Sequence, residues 1–191
     1  MPLSESWPKG QAFETHLDVS SFAVSPQAYH AANPDSRYSY IATGAIVFDR
    51  SGTAARRVLL LQRSNYDSMP GRWEIPGGGC DEDDETILHA AARELQEETG
   101  LKAARIGSQV GEGHFFTSRS GKRICKFTFV VEIGESAEGH SAVELDPKEH
   151  QNYVWATEAE VKAHAVGSVN LDFTTIDQEQ VVLASFAHSD R

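Results

Sequence analysis

Glu94, Glu97 and Glu98 stand within the five residues ELQEE, directly followed by Thr99 and Gly100. At about 100° per residue, a helix carries positions i, i+3 and i+4 on one stripe, so the three carboxylates share a face. Gly100 reads as the helix stop, and the partial negative charge of a helix C-terminus disfavours acids there. Like charges gathered at the wrong pole ask for a cation, and oxygen ligands on one face are what Mg²⁺ or Mn²⁺ takes. The ordinary alternative is a solvated acidic face steadied by one i,i+4 pair, Arg93 to Glu97, worth about 0.2–0.5 kcal/mol. Mutual repulsion weighs against it, because only Arg93 and Lys102 offer opposite charge nearby.

The stretch PGGGCDEDDE delivers a glycine-rich loop into the start of that helix. Gly77, Gly78 and Gly79 permit close backbone approach, with carbonyls for a metal and N–H groups for a phosphate. A simple flexible loop is the plainer reading. Rival motifs fail on single residues. A dinucleotide fingerprint beginning at Gly77 needs glycine where Glu82 stands. Gly121–Lys122 is followed by Arg123 and has no P-loop glycine before it. DEDDET opens like a calcium loop, but Thr86 replaces its glycine and Ala92 its closing glutamate.

The elements that must hold these residues follow from periodicity. A helix over Thr86–Thr99 places Leu88, Ala91, Ala92 and Leu95 on a core stripe. The acidic stripe lies beside it, and His89, Arg93 and Gln96 point toward solvent. YSYIATGAIVF, RRVLLLQR, RIGSQVGEGHFFTS, KRICKFTFVVEI and NYVWAT read as strands, RWEIPGGG as a short extended piece, and RSGTA and RSGK as turns. Thr157 is placed to cap EAEVKAHA, and Thr174 or Thr175 to cap a last helix in IDQEQVVLASFAH. Mixed strands with a central and a terminal helix imply an α/β or α+β sandwich. Residues 1–36, polar and carrying Pro2, Pro8 and Pro26, read as an extension with little regular structure and a short helix after Pro26. The domain proper is expected over residues 37–191.

Composition narrows the function. The 191 residues carry a net charge of −11 with 40% apolar residues, an ordinary soluble balance. That charge argues against a nucleic-acid groove and against anionic membrane surfaces. It leaves room for small phosphorylated substrates, because a divalent metal inverts the local field. Cys80 and Cys125 make no disulfide framework. With no signal pattern and no long apolar run, a cytosolic location is expected.

The spacing Gly79, Glu85, Arg93-Glu94-Leu95, Glu97-Glu98, Gly100-Leu101 resembles the Nudix box, complete at all nine fixed positions, and WEIPGG is similar to its usual lead-in. The resemblance implies an α/β/α sandwich around a mixed sheet. It implies hydrolysis of a nucleoside diphosphate derivative or related organic diphosphate, with Mg²⁺ or Mn²⁺ as cofactor. Glu94, Glu97 and Glu98 would face the metal and the Gly78 carbonyl would complete its site. Glu85 and Arg93 would pair to lock loop to helix. Glu98 would be the general base, with Glu94 second, and a later acid, Glu149 or Glu144, would assist. Arg63 and Arg72 are candidate phosphate clamps, with Gly77 and Gly78 contributing backbone; either arginine also reads as a surface charge.

Arg119, Lys122, Arg123 and Lys126 form the densest basic patch, Phe115 and Phe116 are candidates for stacking on a base, and His150 beside Glu149 is the histidine to watch. The first proline after the box is Pro147, too late for the usual ADP-ribose hydrolase marker. No tyrosine between Tyr66 and Tyr153 supplies the dinucleoside polyphosphate marker. The expected partner is a small-molecule diphosphate, with no nucleic acid or membrane and with a homodimer open. The competing class is a catalytically silent binding or regulatory module, which would be expected to have lost box glutamates.

Overall fold

The computed structural model describes residues 12–34, 37–49, 55–134 and 142–188. The chain opens with a two-residue strand β1 (Glu14–Thr15), a 3₁₀ turn over Leu17–Phe22 and helix α1 (Pro26–Ala32). Strands β2 (Tyr40–Ile46), β3 (Arg57–Arg63) and β4 (Trp73–Glu74) lead to helix α2 (Ile87–Thr99). Then come β5 (Ala103–Gln109), β6 (His114–Thr117), β7 (Arg123–Ile133) and β8 (His150–Thr157). Helix α3 (Glu158–Lys162), the small pair β9 (Ala165–Val166) and β10 (Val169–Asn170), and helix α4 (Ile176–Ser185) close the chain.

One sheet runs β1-β5-β7-β2 with β6 also on β7; a second runs β4-β3-β8, and a bridge between Phe48 and Val58 links them. The larger sheet is mixed: β2 and β7 are parallel, as are β1 and β5, while β5 and β6 run antiparallel to β7. The unbroken apolar run of β3 has a plain cause. Leu59 and Leu61 enter the core that α2 covers with Leu88, Ala91, Ala92 and Leu95, while Val58 and Leu60 enter a second core with Trp73, Ile75 and Val182. A strand buried on both faces needs no polar alternation. The result is the expected α/β sandwich with helices on either side.

Residues before Ser36 correct the sequence reading. β1 pairs with β5, Val19 and Phe22 are buried, and the Phe22 ring meets Phe127 at 4.9 Å and Phe129 at 5.1 Å. Two large side chains on a short 3₁₀ turn plug the core without any periodicity long enough to show in sequence. The helix after Pro26 is present, capped by Ser25 with Pro26 in its first turn. RIGSQVGEGHFFTS is two strands, because the chain breaks at Gly111, whose φ is +66°. RSGK is the turn it promised, with Ser118 N–H donating to the Lys122 carbonyl at 2.9 Å. Thr157 caps α3 and Thr175 caps α4. RSGTA lies outside the described residues.

Candidate active site

Helix α2 is framed at both ends. The Thr86 hydroxyl accepts the His89 N–H at 3.2 Å, and Gly100 takes the left-handed conformation, φ 71°, that ends a helix cheaply. The acidic stripe is graded by depth: Glu98 is buried, Glu94 half-buried and Glu97 exposed. Facing it is the glycine stretch, which is a ribbon rather than a loose loop. Ala45 N–H donates to the Pro76 carbonyl, Thr43 N–H to that of Gly78, and Cys80 N–H to that of Ile41, at 2.8, 2.8 and 2.9 Å. The segment is thereby sewn to β2. Gly77 sits at φ +145°, and a Cβ there would collide with the Thr43 and Gly44 backbone. A Cβ on Gly78 would come 2.5 Å from Glu94 Oε2, so carboxylate and backbone are in contact.

The electrostatics follow from that packing. Gly77 N–H donates to Glu98 Oε2 at 2.8 Å. Burial nonetheless pushes the Glu98 carboxyl well above the ordinary carboxylate range; the Gly77 bond opposes this and the charges of Glu94 and Glu74 add to it. Burial also pushes Glu94 up to about 7; Arg93 opposes the rise, and Glu97 and Glu149 reinforce it. The two acids therefore carry an ionisation penalty that a cation would remove.

Arg93 does not point to solvent. It is buried, with Nε and Nη2 donating to the two oxygens of Asp84 at 2.9 Å each. Nη1 reaches Glu94 and Glu97, and Nη2 the Gly79 carbonyl, again at 2.9 Å. The helical wheel cannot see this, because the loop over residues 81–84 folds across that face. The lock between loop and helix is thus Asp84–Arg93. Glu85 is 73% exposed and its nearest ionic neighbour is His89 Nε2, at 3.8 Å.

The start of β8 brings in two more groups. One ligand atom each from Glu98, Glu149 and His150 lie within 4.8 Å of one another. A cleft of about 450 Å³ is lined by Arg63, Gly77–Gly79, Glu94, Glu98, Glu149 and His150 among others. It adjoins a larger cleft of about 610 Å³, which shares Arg63 and the glycines and continues past Tyr40, Phe116, Lys122, Lys126 and Gln178. Arg63 stands where the two meet, ion-paired to Glu74 and Asp67.

A family model for the NUDIX domain matches residues 39–174. The chain belongs to the NUDIX family. Among its relatives, the protein named RNA pyrophosphohydrolase of Rhizobium meliloti (strain 1021) is 41% identical over 64 residues, covering 33% of this chain and 38% of that one. The RNA pyrophosphohydrolase of Bartonella bacilliformis is 31% identical over 107 residues, covering 50% and 62%. The chain thus spans less than two thirds of either relative. In fold it is similar to the NUDIX domain of Shewanella oneidensis NrtR complexed with ADP ribose, with a TM-score of 0.58, 22% identity and coverage of 83% and 96%. It is also similar to the Escherichia coli ORF135 protein, with a TM-score of 0.54, 26% identity and coverage of 78% and 91%.

The NUDIX box residues are not all brought together. Glu94, Glu98, Gly77 and Gly78 line the smaller cleft, and Glu149 joins them. Glu97 lines neither cleft and serves Arg93 instead. Glu144 packs at the end of α2, its N–H donating to the Thr99 carbonyl at 2.8 Å. Arg72 is exposed and lines neither cleft. The donor set fits a hard divalent cation: carboxylate oxygens of Glu94, Glu98 and Glu149, and the Gly78 carbonyl, which has a second lone pair beyond the one Thr43 uses.

Sequence reasoning passed over Glu74. It is buried, paired to Arg63, with Oε1 3.4 Å from His150 Nε2. Burial alone would raise its carboxyl, but the His150 contact and the Lys126 and Arg63 charges hold it below the ordinary range. Its signal was an acid between Trp73 and Ile75, both fully buried.

Proposed function

We propose that the chain is a Mg²⁺- or Mn²⁺-dependent diphosphatase acting on a nucleoside diphosphate derivative or a related organic diphosphate. The observation that carries the reading is the pair of deep carboxylates, Glu94 and Glu98, set against a glycine ribbon beside a cleft with cationic walls. Glu94, Glu98 and Glu149 with the Gly78 carbonyl would hold the metal, which supplies charge neutralisation and an acidified water. Glu98 is the first choice for general base: Gly77 N–H fixes one oxygen and leaves the other to take a proton. Glu94 is the second. Arg63, between the clefts, orients the diphosphate, and Lys122 and Lys126 offset its charge on the side of the larger cleft. That cleft takes the group beyond the diphosphate, with Tyr40 and Phe116 as flat apolar contacts.

A second reading extends the substrate to the 5′ end of an RNA. A groove of about 540 Å³, lined by Arg37, Tyr38, Phe115, Thr117 and Arg123, shares Phe116 and Ile124 with the larger cleft. Phe115 is 61% exposed. Cations and exposed aromatics in a continuous track suit a single strand, against the net charge of −11. The relatives that carry the name RNA pyrophosphohydrolase favour the same direction. A product-release screen decides between them, with the phosphomonoesters or pyrophosphate released resolved by chromatography, run over mononucleotide and organic diphosphates and a 5′-triphosphorylated oligonucleotide, with and without Mg²⁺ or Mn²⁺. Metal-dependent release from small compounds supports the first reading, and release from the oligonucleotide alone the second. No metal-dependent release from any compound sinks both and leaves the silent binding module.

A further inference from the structure

We infer that His150 supplies a nitrogen ligand to the metal site, making it a mixed oxygen–nitrogen centre rather than one of oxygens alone. This rests on the metal-dependent reading above. His150 is 2% exposed. Its position is set by the strand register, which pairs it with Arg63, and by its N–H donating to the Asp146 carbonyl at 2.9 Å. Nε2 faces Glu74 Oε1 at 3.4 Å. Nδ1 is buried and has no hydrogen-bond partner among the described residues.

These two facts set the tautomer. A carboxylate accepts and does not donate, so the proton belongs on Nε2, toward Glu74. Nδ1 is then a bare lone pair sealed from water, and a buried acceptor left unmet is unfavourable. Glu74 is held in turn by Arg63, and Arg63 by Asp67. An imidazole pinned by a carboxylate through one nitrogen, with the other left bare, is the arrangement that metal-binding histidines use. His150 offers one ring nitrogen to a group with Glu98 and Glu149 whose ligand atoms lie within 4.8 Å of one another, so the imidazole stands at the edge of the metal site. Imidazole is a softer donor than carboxylate, so its presence tilts the site from Mg²⁺ toward Mn²⁺.

The test uses the full chain with histidine rings labelled with ¹⁵N, loaded with Mn²⁺ alone and examined by electron–nuclear double resonance. A ¹⁵N coupling is expected in the unsubstituted protein and is expected to vanish in His150→Gln. That variant should still bind Mn²⁺, roughly tenfold more weakly, and with its preference for Mn²⁺ over Mg²⁺ reduced. Bound Mn²⁺ without ¹⁵N coupling, or a coupling that survives in His150→Gln, overturns the inference and leaves the diphosphatase reading standing. Absence of Mn²⁺ binding overturns the inference and the metal-dependent reading together.

Discussion

At the residue scale, Arg93 shows how a wheel diagram misleads. Counted along the helix it belongs to the solvent side, yet five donors of its guanidinium fork find Asp84, Glu94, Glu97 and the Gly79 carbonyl. Removing one partner of a buried pair leaves an uncompensated charge, so Asp84→Ala is expected to cost about 3 kcal/mol of stability. Glu85→Ala, at an exposed position, is expected to stay within about 0.5 kcal/mol. Denaturant melts of the two variants check the order, and the reverse order would return the lock to Glu85. Glu98 carries a second prediction. Its carboxyl is raised in the folded state, so the native protein binds a proton there more tightly than the unfolded chain. Metal-free stability must then fall as pH rises through the carboxylate range, and Glu94 extends that window to about pH 7. Thermal melts of Glu98→Gln should show a shallower fall as pH rises above the ordinary carboxylate range, because the substituted side chain keeps an acceptor for Gly77 N–H and loses the charge. Its kcat should drop at least roughly a hundredfold; near-normal turnover would remove Glu98 from the chemistry.

At the element scale, the decisive piece is the glycine ribbon sewn to β2. Gly77 has both a positive φ and a backbone neighbour in the way, so Gly77→Ala should cost about 2–3 kcal/mol and most of the activity. Gly79 opens the box motif, yet a Cβ there meets nothing within 4 Å. Gly79→Ala is therefore expected to melt within a few degrees of the parent, and a large loss would mean that the ribbon moves during function. The elements themselves were largely legible. Helix α2 declares itself by its apolar stripe, Thr86 and Gly100; β3 and β7 by dense apolar runs; α3 and α4 by their threonine caps. The 3₁₀ turn of Leu17–Phe22 was not, because Val19 and Phe22 fill a hole that other elements create.

At the scale of the whole molecule, a chain of net charge −11 gathers Arg37, Arg63, Lys122, Arg123 and Lys126 along adjoining clefts. If the substrate is an RNA end, Arg37→Gln with Arg123→Gln should weaken oligonucleotide binding and flatten its salt dependence by about 1.4 in slope, leaving turnover of mononucleotides unchanged. Equal loss for both substrates would place these arginines in folding instead. Added Mg²⁺ or Mn²⁺ should raise the melting temperature more at pH 8 than at pH 5.5, since metal and proton compete for the same carboxylates; no metal effect at either pH would count against the site. No helix among the described residues is long and apolar enough to cross a membrane. By itself the sequence determined the acidic stripe, the glycines before it and the order of elements, because helical spacing, caps and apolar runs are local properties. Only the tertiary structure decided that Asp84 rather than Glu85 holds Arg93, that Glu97 stands aside, and that Glu149 and His150, just before and at the start of β8, join Glu98 from some fifty residues away. Those choices depend on how β8 registers against β3 and how residues 81–84 fold over α2, and no local pattern encodes such long-range contacts.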